Sequence, residues 1–140
     1  MSIESESLGQ PRLKRNAIQL CRIIGHHTGR FCMDYDTYGC YCGGGLTSTL
    51  DPVDDVDNCC RQHDACYDTL SNHCYWWWLS LLVTYNWDCT DASCSCTDSP
   101  TDRECHYHTC QCDLMLGQCL QNATYNQEFY NYTRTACGES

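Results

Sequence analysis

Positive charge is scarce in this chain. Lys14 is the only lysine and five arginines follow Arg15, whereas aspartate and glutamate together number 18, so the formal net charge is −10. Nucleic-acid-binding proteins present clustered basic side chains, so the composition argues against a nucleic-acid partner. It argues equally against strong electrostatic attraction to anionic membranes.

Long apolar runs and CxxC pairs are also missing. No stretch is long enough to cross a bilayer, so no transmembrane segment is predicted. The close cysteine pairs have spacings shorter than those typical of zinc sites, and 16 cysteines occur within 140 residues. These features predict a single small domain that is stabilised by disulfides. They also predict an oxidising, extracellular compartment.

The first residues do not resemble a signal peptide, although the cysteine content indicates secretion. Residues 1–10 contain Glu4 and Glu6 and no hydrophobic core. Residues 12–15 (RLKR) form a multibasic site just before an apolar-periodic segment. Residues 1–15 are either a charged flexible terminus or a propeptide-like flexible segment cleaved after Arg15, which would leave residues 16–140 as the functional domain.

Periodicity predicts three helices and a hairpin. Residues 16–24 form a short amphipathic helix, which we expect Gly25, His26 and His27 to end, with both histidines on the surface. The acidic residues 51–57, with Pro52 in the first turn, suit the start of a helix that reaches about Leu70. Residues 104–121 form a second long helix, and residues 84–96 form a small hairpin.

The two long helices can be docked from cysteine spacing alone. Cys59 and Cys66 are seven residues apart, as are Cys112 and Cys119, so each pair lies two turns apart on one helix face. In an antiparallel arrangement, Cys59 meets Cys119 and Cys66 meets Cys112. Sixteen cysteines allow a very large number of pairings, so this choice remains a hypothesis.

This docking brings a histidine and an aspartate together. His63 lies between the two bridges and Asp113 follows Cys112 directly, so the carboxylate can reach one ring nitrogen. With no serine or free cysteine beside it, such a histidine would activate water as a general base. Asp64 and the glycine-rich residues 37–49 offer oxygen ligands to Ca²⁺, so the predicted chemistry is metal-assisted ester hydrolysis. The alternative is a hydrogen-bonded core histidine without catalytic function.

Three segments resemble the secreted, calcium-dependent phospholipase A2 family: residues 38–45 (YGCYCGGG), 59–67 (CCRQHDACY) and 110–113 (CQCD). The resemblance runs from about Asn16 to Cys137. It implies a mainly α, small, disulfide-rich fold with two long antiparallel helices, a short N-terminal helix, a calcium loop and a two-stranded hairpin. It also implies hydrolysis of the sn-2 ester of glycerophospholipids, which releases a fatty acid and a lysophospholipid.

The resemblance assigns expected roles to individual residues. His63 corresponds to the general base and Asp113 to its partner. The expected calcium ligands are Asp64 and the carbonyls of Tyr41, Gly43 and Gly45. Tyr67 and Tyr85 correspond to the tyrosines that bind the aspartate, and Gln19 to a glutamine near the mature N-terminus. The position of Gln19 makes Asn16 the first mature residue, so the resemblance favours cleavage after Arg15. The expected residues at the acyl-channel entrance are Ala17, Leu20 and Ile24.

The resemblance also implies disulfide pairs. These pairs are Cys40–Cys137, Cys42–Cys60, Cys59–Cys119, Cys66–Cys112, Cys74–Cys105 and Cys96–Cys110. Cys89 is expected to pair towards the N-terminal region, with either Cys32 or Cys21, and Cys94 is left without an assigned partner. The sequence departs from the family pattern at Leu46, which replaces the last glycine of the calcium loop.

The expected partner is a phospholipid surface, bound peripherally and preferentially when zwitterionic, because basic residues are few. Residues 76–78 are three consecutive tryptophans, of which at least one should be partly exposed, either beside the core or at a membrane interface. Asn122 and Asn131 lie in glycosylation triplets. The alternative function is an inactive secreted homologue that binds a cell-surface receptor or a membrane.

Overall fold

Three helices and one small sheet organise the part of the chain that the structure describes. The computed structural model describes residues 15–43, 50–76, 80–91 and 93–138, without the side chains of residues 15, 16 and 134. Helix α1 is Arg15–Thr28, α2 is Asp55–Asp68 and α3 is Glu104–Gln121, while strands β1 (Trp87–Cys89) and β2 (Cys94–Cys96) pair antiparallel. Short 3-10 turns cover Cys32–Tyr35, Thr69–Asn72, Gln127–Phe129 and Arg134–Cys137. The predicted fold class is confirmed.

Helix α1 is longer than predicted, because it continues through Gly25 to Thr28. The expectation that both histidines lie on the surface was wrong for His27, which is buried and whose Nδ1 is 2.9 Å from Gln121 Oε1. Burial of this turn against α3 outweighs the weak helix propensity of a single glycine. The helix ends at Gly29, which adopts a φ of +70° and donates its N–H to the Gly25 carbonyl at 2.9 Å.

Helix α2 begins later than predicted. Its N-cap is Asp54, whose Oδ1 accepts a hydrogen bond from the backbone N–H of Asp57 at 2.9 Å. Pro52 therefore lies before the helix, and the prediction that it occupies the first turn was wrong. The chain leaves α2 through the 3-10 turn Thr69–Asn72, close to the predicted end, and α3 has the predicted bounds.

Disulfides fix the arrangement of α2 and α3. Cys59 is bonded to Cys119 and Cys66 to Cys112, each with a Cα–Cα distance of 5.7 Å, so the two helices run antiparallel. The other bonds that match the pairs implied by the resemblance are Cys40–Cys137, Cys42–Cys60, Cys74–Cys105 and Cys96–Cys110.

The expected N-terminal partner of Cys89 was wrong. Cys89 is bonded to Cys94, which lies directly opposite it in the β1–β2 register with a Cα–Cα distance of 3.9 Å. Cys21 of α1 is bonded instead to Cys32, eleven residues further along the chain. Both bonds are local, because the turn after α1 and the hairpin each bring their own two cysteines together.

The surface carries an exposed aromatic pair beside the tryptophan run. Trp76 is 55% exposed and the neighbouring Tyr75 is 88% exposed, which confirms that at least one tryptophan of the run reaches solvent. Trp77 and Trp78 lie outside the described residues. Within the described ranges, none of the helices has the length and apolar character needed to cross a membrane.

Candidate active site

His63 of α2 and Asp113 of α3 form a buried pair at the centre of the helix interface. His63 Nε2 lies 2.8 Å from Asp113 Oδ1, and the carboxylate is fully buried. The two disulfides that join α2 to α3 flank this pair along the helices. Because Nε2 is used by Asp113, Nδ1 is the ring nitrogen that can accept a proton from a water molecule.

Two tyrosine hydroxyls complete the surroundings of Asp113. Tyr67, one helical turn after His63, donates to Oδ1 at 2.8 Å, and Tyr85 donates to Oδ2 at 2.6 Å. The ring of Tyr67 also packs against the imidazole, with centroids 4.7 Å apart. The carboxylate thus accepts three hydrogen bonds and cannot rotate away from the imidazole without breaking them.

Both tyrosines are held in the protonated form that can donate. Burial, and then the negative charge of Asp113, raises the pKa of Tyr67 well above its usual range. The same two causes, in the same order, raise the pKa of Tyr85. The hydroxyl hydrogens therefore remain in place at every pH at which such a site would work.

Helix α1 is linked to this network through Gln19. Its side-chain nitrogen donates to the carbonyl of Tyr85 at 2.6 Å, and its side-chain oxygen accepts from the backbone N–H of Tyr85 at 3.1 Å. This paired contact fixes the backbone of the residue whose hydroxyl binds Asp113. The three residues expected at the channel entrance, Ala17, Leu20 and Ile24, are buried on α1.

A buried aspartate that the sequence analysis did not single out anchors the start of the glycine-rich loop. Asp57 accepts backbone hydrogen bonds from Cys40 at 3.0 Å, from Tyr41 at 2.7 Å and from Val53 at 3.0 Å. A Cβ at Gly39 would lie 2.5 Å from the Asp57 carboxylate, so glycine is needed there. Asp57 was interpreted only as a complement to the helix dipole, and its apolar neighbours Val53 and Val56 were the one available signal of burial.

Asp64 follows His63 on α2 and is half-buried. Burial raises the pKa of its carboxyl group, although the neighbouring His63 opposes this effect. Within the described ranges, Asp64 forms no ion pair with lysine or arginine. A carboxylate in this setting is stabilised by a cation, and oxygen donors are those that Ca²⁺ prefers.

The expected loop ligands are only partly described. Tyr41 and Gly43 lie in a turn that is joined to α2 by the disulfide Cys42–Cys60. Gly43 has a φ of +108°, and a Cβ there would lie 2.9 Å from the backbone nitrogen of Thr37. This backbone requires glycine and keeps the turn close to α2, so these residues fit a calcium site. Gly45 and Leu46 lie outside the described residues.

The asparagines of the two glycosylation triplets are exposed. Asn122 is exposed at the C-terminal end of α3, where its side-chain nitrogen donates to the carbonyl of Gln118 at 3.2 Å. Asn131 is exposed in a turn with a φ of +55°. Both side chains are therefore accessible to a modifying enzyme.

Sequence comparisons relate the chain to known proteins. A family model described as phospholipase A2 matches residues 17–130. The chain is 39% identical over 103 residues to neutral phospholipase A2 homolog taipoxin beta chain 2 of Oxyuranus scutellatus scutellatus, covering 73% of this chain and 80% of the relative. It is 34% identical over 120 residues to basic phospholipase A2 nigroxin A of Micrurus nigrocinctus, covering 86% of this chain and 97% of the relative.

Proposed function

Because the chain belongs to the phospholipase A2 family, we propose that it is an active, calcium-dependent enzyme that hydrolyses the sn-2 ester of glycerophospholipids. The products would be a free fatty acid and a lysophospholipid. The observation that carries the proposal is the 2.8 Å contact between His63 Nε2 and a fully buried Asp113 that also accepts two tyrosine hydrogen bonds. This arrangement prepares one histidine nitrogen for proton transfer.

In the proposed mechanism, His63 acts as the general base. Its Nδ1 removes a proton from a water molecule as the oxygen of that water attacks the ester carbonyl. Asp113 keeps the ring oriented through Nε2 and stabilises the imidazolium that forms. The same proton is then available to the departing alkoxide of the lysophospholipid, which returns the imidazole to its neutral state.

The proposed calcium ligands are Asp64 and the backbone carbonyls of Tyr41, Gly43 and Gly45. When bound, the ion would polarise the ester carbonyl and stabilise negative charge on its oxygen. The half-buried, cation-favouring carboxylate of Asp64 supports this assignment. Asp57 supports it indirectly, since its hydrogen bonds hold the first residues of the loop against α2.

The remaining expectations belong to the same proposal. We propose that the protein is secreted, that residues 1–15 are removed, and that residues 16–140 act at a phospholipid surface, with glycans at Asn122 and Asn131. The formal charge of −10 favours zwitterionic over anionic vesicles, because anionic headgroups repel an acidic protein. Equal or faster turnover on anionic vesicles would contradict this preference.

The test is fatty-acid release from phosphatidylcholine vesicles, first with calcium and then with a chelator. Residues 16–140 should release fatty acid only with calcium, and His63→Gln should remove the activity. His26→Gln is the matched control, because His26 is an exposed histidine on α1 and its loss should leave turnover unchanged. Fatty-acid release that persists in the presence of the chelator, or in the His63→Gln variant, would contradict the mechanism. A folded, inactive wild-type protein would instead favour a receptor- or membrane-binding homologue.

A further inference from the structure

A second group of metal-ligating side chains lies at the N-terminal end of α3. His73 Nδ1 is 2.7 Å from Glu104 Oε2, and the rings of His73 and His108 are stacked, with centroids 3.6 Å apart and an interplanar angle of 16°. One ligand atom from each of the three residues lies within 4.8 Å of the other two. Two imidazoles and a carboxylate thus share one small region of the surface.

The backbone holds this group in place. The disulfide Cys74–Cys105 joins the residues that directly follow His73 and Glu104, with a Cα–Cα distance of 4.5 Å. Glu104 and His108 are four residues apart on α3 and therefore lie on one face of the helix. The chain before the disulfide is fixed by the 2.7 Å hydrogen bond from the Cys74 N–H to the Leu70 carbonyl.

The acidic ligand of this group is not held by the guanidinium next to it in sequence. His108 is half-buried against the ring of His73, which keeps its imidazole close to the other two ligands. Arg103 precedes Glu104, but its Nε is 2.8 Å from Asp98 Oδ1, which holds the guanidinium on another carboxylate. The Glu104 carboxylate is therefore available to a metal ion.

We propose that His73, Glu104 and His108 form a Zn²⁺ site, each supplying one ligand while water occupies the fourth position. Two imidazole nitrogens and one carboxylate oxygen are a common zinc donor set, with bonds of about 2.0–2.2 Å that place the ligand atoms about 3.4 Å apart. Ca²⁺ takes six to eight oxygen ligands and does not suit this group.

Only side-chain rotation is needed to form the site. The lone pairs of two stacked imidazoles run parallel, so the rings of His73 and His108 must tilt for their nitrogens to converge on one ion. The side chains of His73 and Glu104 are 31% and 46% exposed, so they can rotate without disturbing the core. The site does not depend on the proposed hydrolysis, since His108 and Asp113 are separated by roughly 7.5 Å along α3.

The test is isothermal titration of Zn²⁺ into the full, oxidised chain at pH 7.5, with calcium present in excess. The wild type should bind one equivalent. His73→Gln, Glu104→Gln and His108→Gln should each weaken binding by at least ~10-fold, since even the loss of a residue that only supports a ligand costs this much. His106→Gln, two residues from His108 on the same helix, should bind as the wild type does.

The titration also separates this site from the proposed active site. His63→Gln should retain zinc binding if the ion lies on His73, Glu104 and His108. The proposal is overturned if the wild type binds no zinc, if His108→Gln binds as tightly as His106→Gln, or if only His63→Gln loses the ion. X-ray absorption of the wild-type complex needs no variant: two imidazole nitrogens are expected, and a spectrum without histidine ligands would also overturn the proposal.

Discussion

Asp57 Oδ1 accepts a hydrogen bond of 2.7 Å from the backbone N–H of Tyr41, so a helix residue fixes the start of the glycine-rich loop. The same carboxylate also binds the N–H groups of Cys40 and Val53. It is fully buried, and its partners come from the segments before and after the undescribed residues 44–49. Asp57 therefore couples the position of the proposed calcium ligands to α2.

Replacement of Asp57 by asparagine should destabilise the protein and weaken calcium binding. The amide nitrogen would face backbone N–H donors, which leaves at least one buried donor unsatisfied and costs about 2–3 kcal/mol. Denaturant unfolding without reductant measures the free energy of unfolding. Calcium titration measures the affinity of the proposed calcium site, which depends on the position of the loop. Asp55→Asn is the matched control, because Asp55 is exposed in the first turn of the same helix. Equal effects of the two substitutions would contradict the anchoring function of Asp57.

Replacement of Tyr85 by phenylalanine removes one of the three hydrogen bonds to Asp113. Because this bond ends on a buried carboxylate, its loss should lower the free energy of unfolding by about 2 kcal/mol. Turnover should fall only a few-fold, since the contact between His63 and Asp113 remains. Vesicle hydrolysis and denaturant unfolding check the two effects. Tyr75→Phe, at an 88% exposed position, should alter neither, and a similar loss there would contradict the assignment.

The raised pKa values of the buried tyrosines predict alkaline destabilisation. An unfolded tyrosine titrates near pH 10, whereas burial and then Asp113 raise the pKa of Tyr67 and Tyr85 in the folded protein. The stability that each contributes is complete below pH 10, and it falls by about 1.4 kcal/mol per pH unit above it, as the unfolded chain loses the proton first. Unfolding measured at pH 9, 10 and 11 should show a shallower fall for Tyr85→Phe, and parallel pH profiles would refute this linkage.

Two glycine-to-alanine substitutions should change the free energy of unfolding in opposite directions. At Gly117 of α3, a Cβ would lie 2.7 Å from Ile23 Cγ2 and 2.8 Å from His27 Cδ2, so Gly117→Ala should push α1 away and destabilise by about 1–3 kcal/mol. At Gly25 of α1, the nearest atom to a Cβ is 3.7 Å away, so Gly25→Ala should stabilise by about 0.5–1 kcal/mol through helix propensity. Thermal unfolding checks both. A stabilising Gly117→Ala would show that α1 and α3 can separate without cost.

Much of the helix pairing could be predicted because it depends on spacing along the chain. The seven-residue separations of Cys59/Cys66 and of Cys112/Cys119 place each pair on one helix face, and only an antiparallel docking lets both bridges form with these partners. The position of Asp113 next to Cys112 then brings its carboxylate to the level of His63. The bounds of α3 followed from periodicity in the same way.

Other features depended on contacts that spacing does not encode. Burial of His27 and continuation of α1 through Gly25 follow from close approach to Gly117. The Cys89–Cys94 bond follows from the register of the hairpin.

The adjacent residues His63 and Asp64 show what each level determines. The sequence alone shows that the two residues are adjacent and bracketed by cysteines, because a short motif is defined by residue types and spacing along the chain. Only the tertiary structure decided that His63 contacts Asp113, that Asp57 anchors the start of the glycine-rich loop, and that His73 meets Glu104 and His108. These pairings join residues from separate segments, and they exist only because the packing of three helices and their disulfides holds those segments at fixed distances.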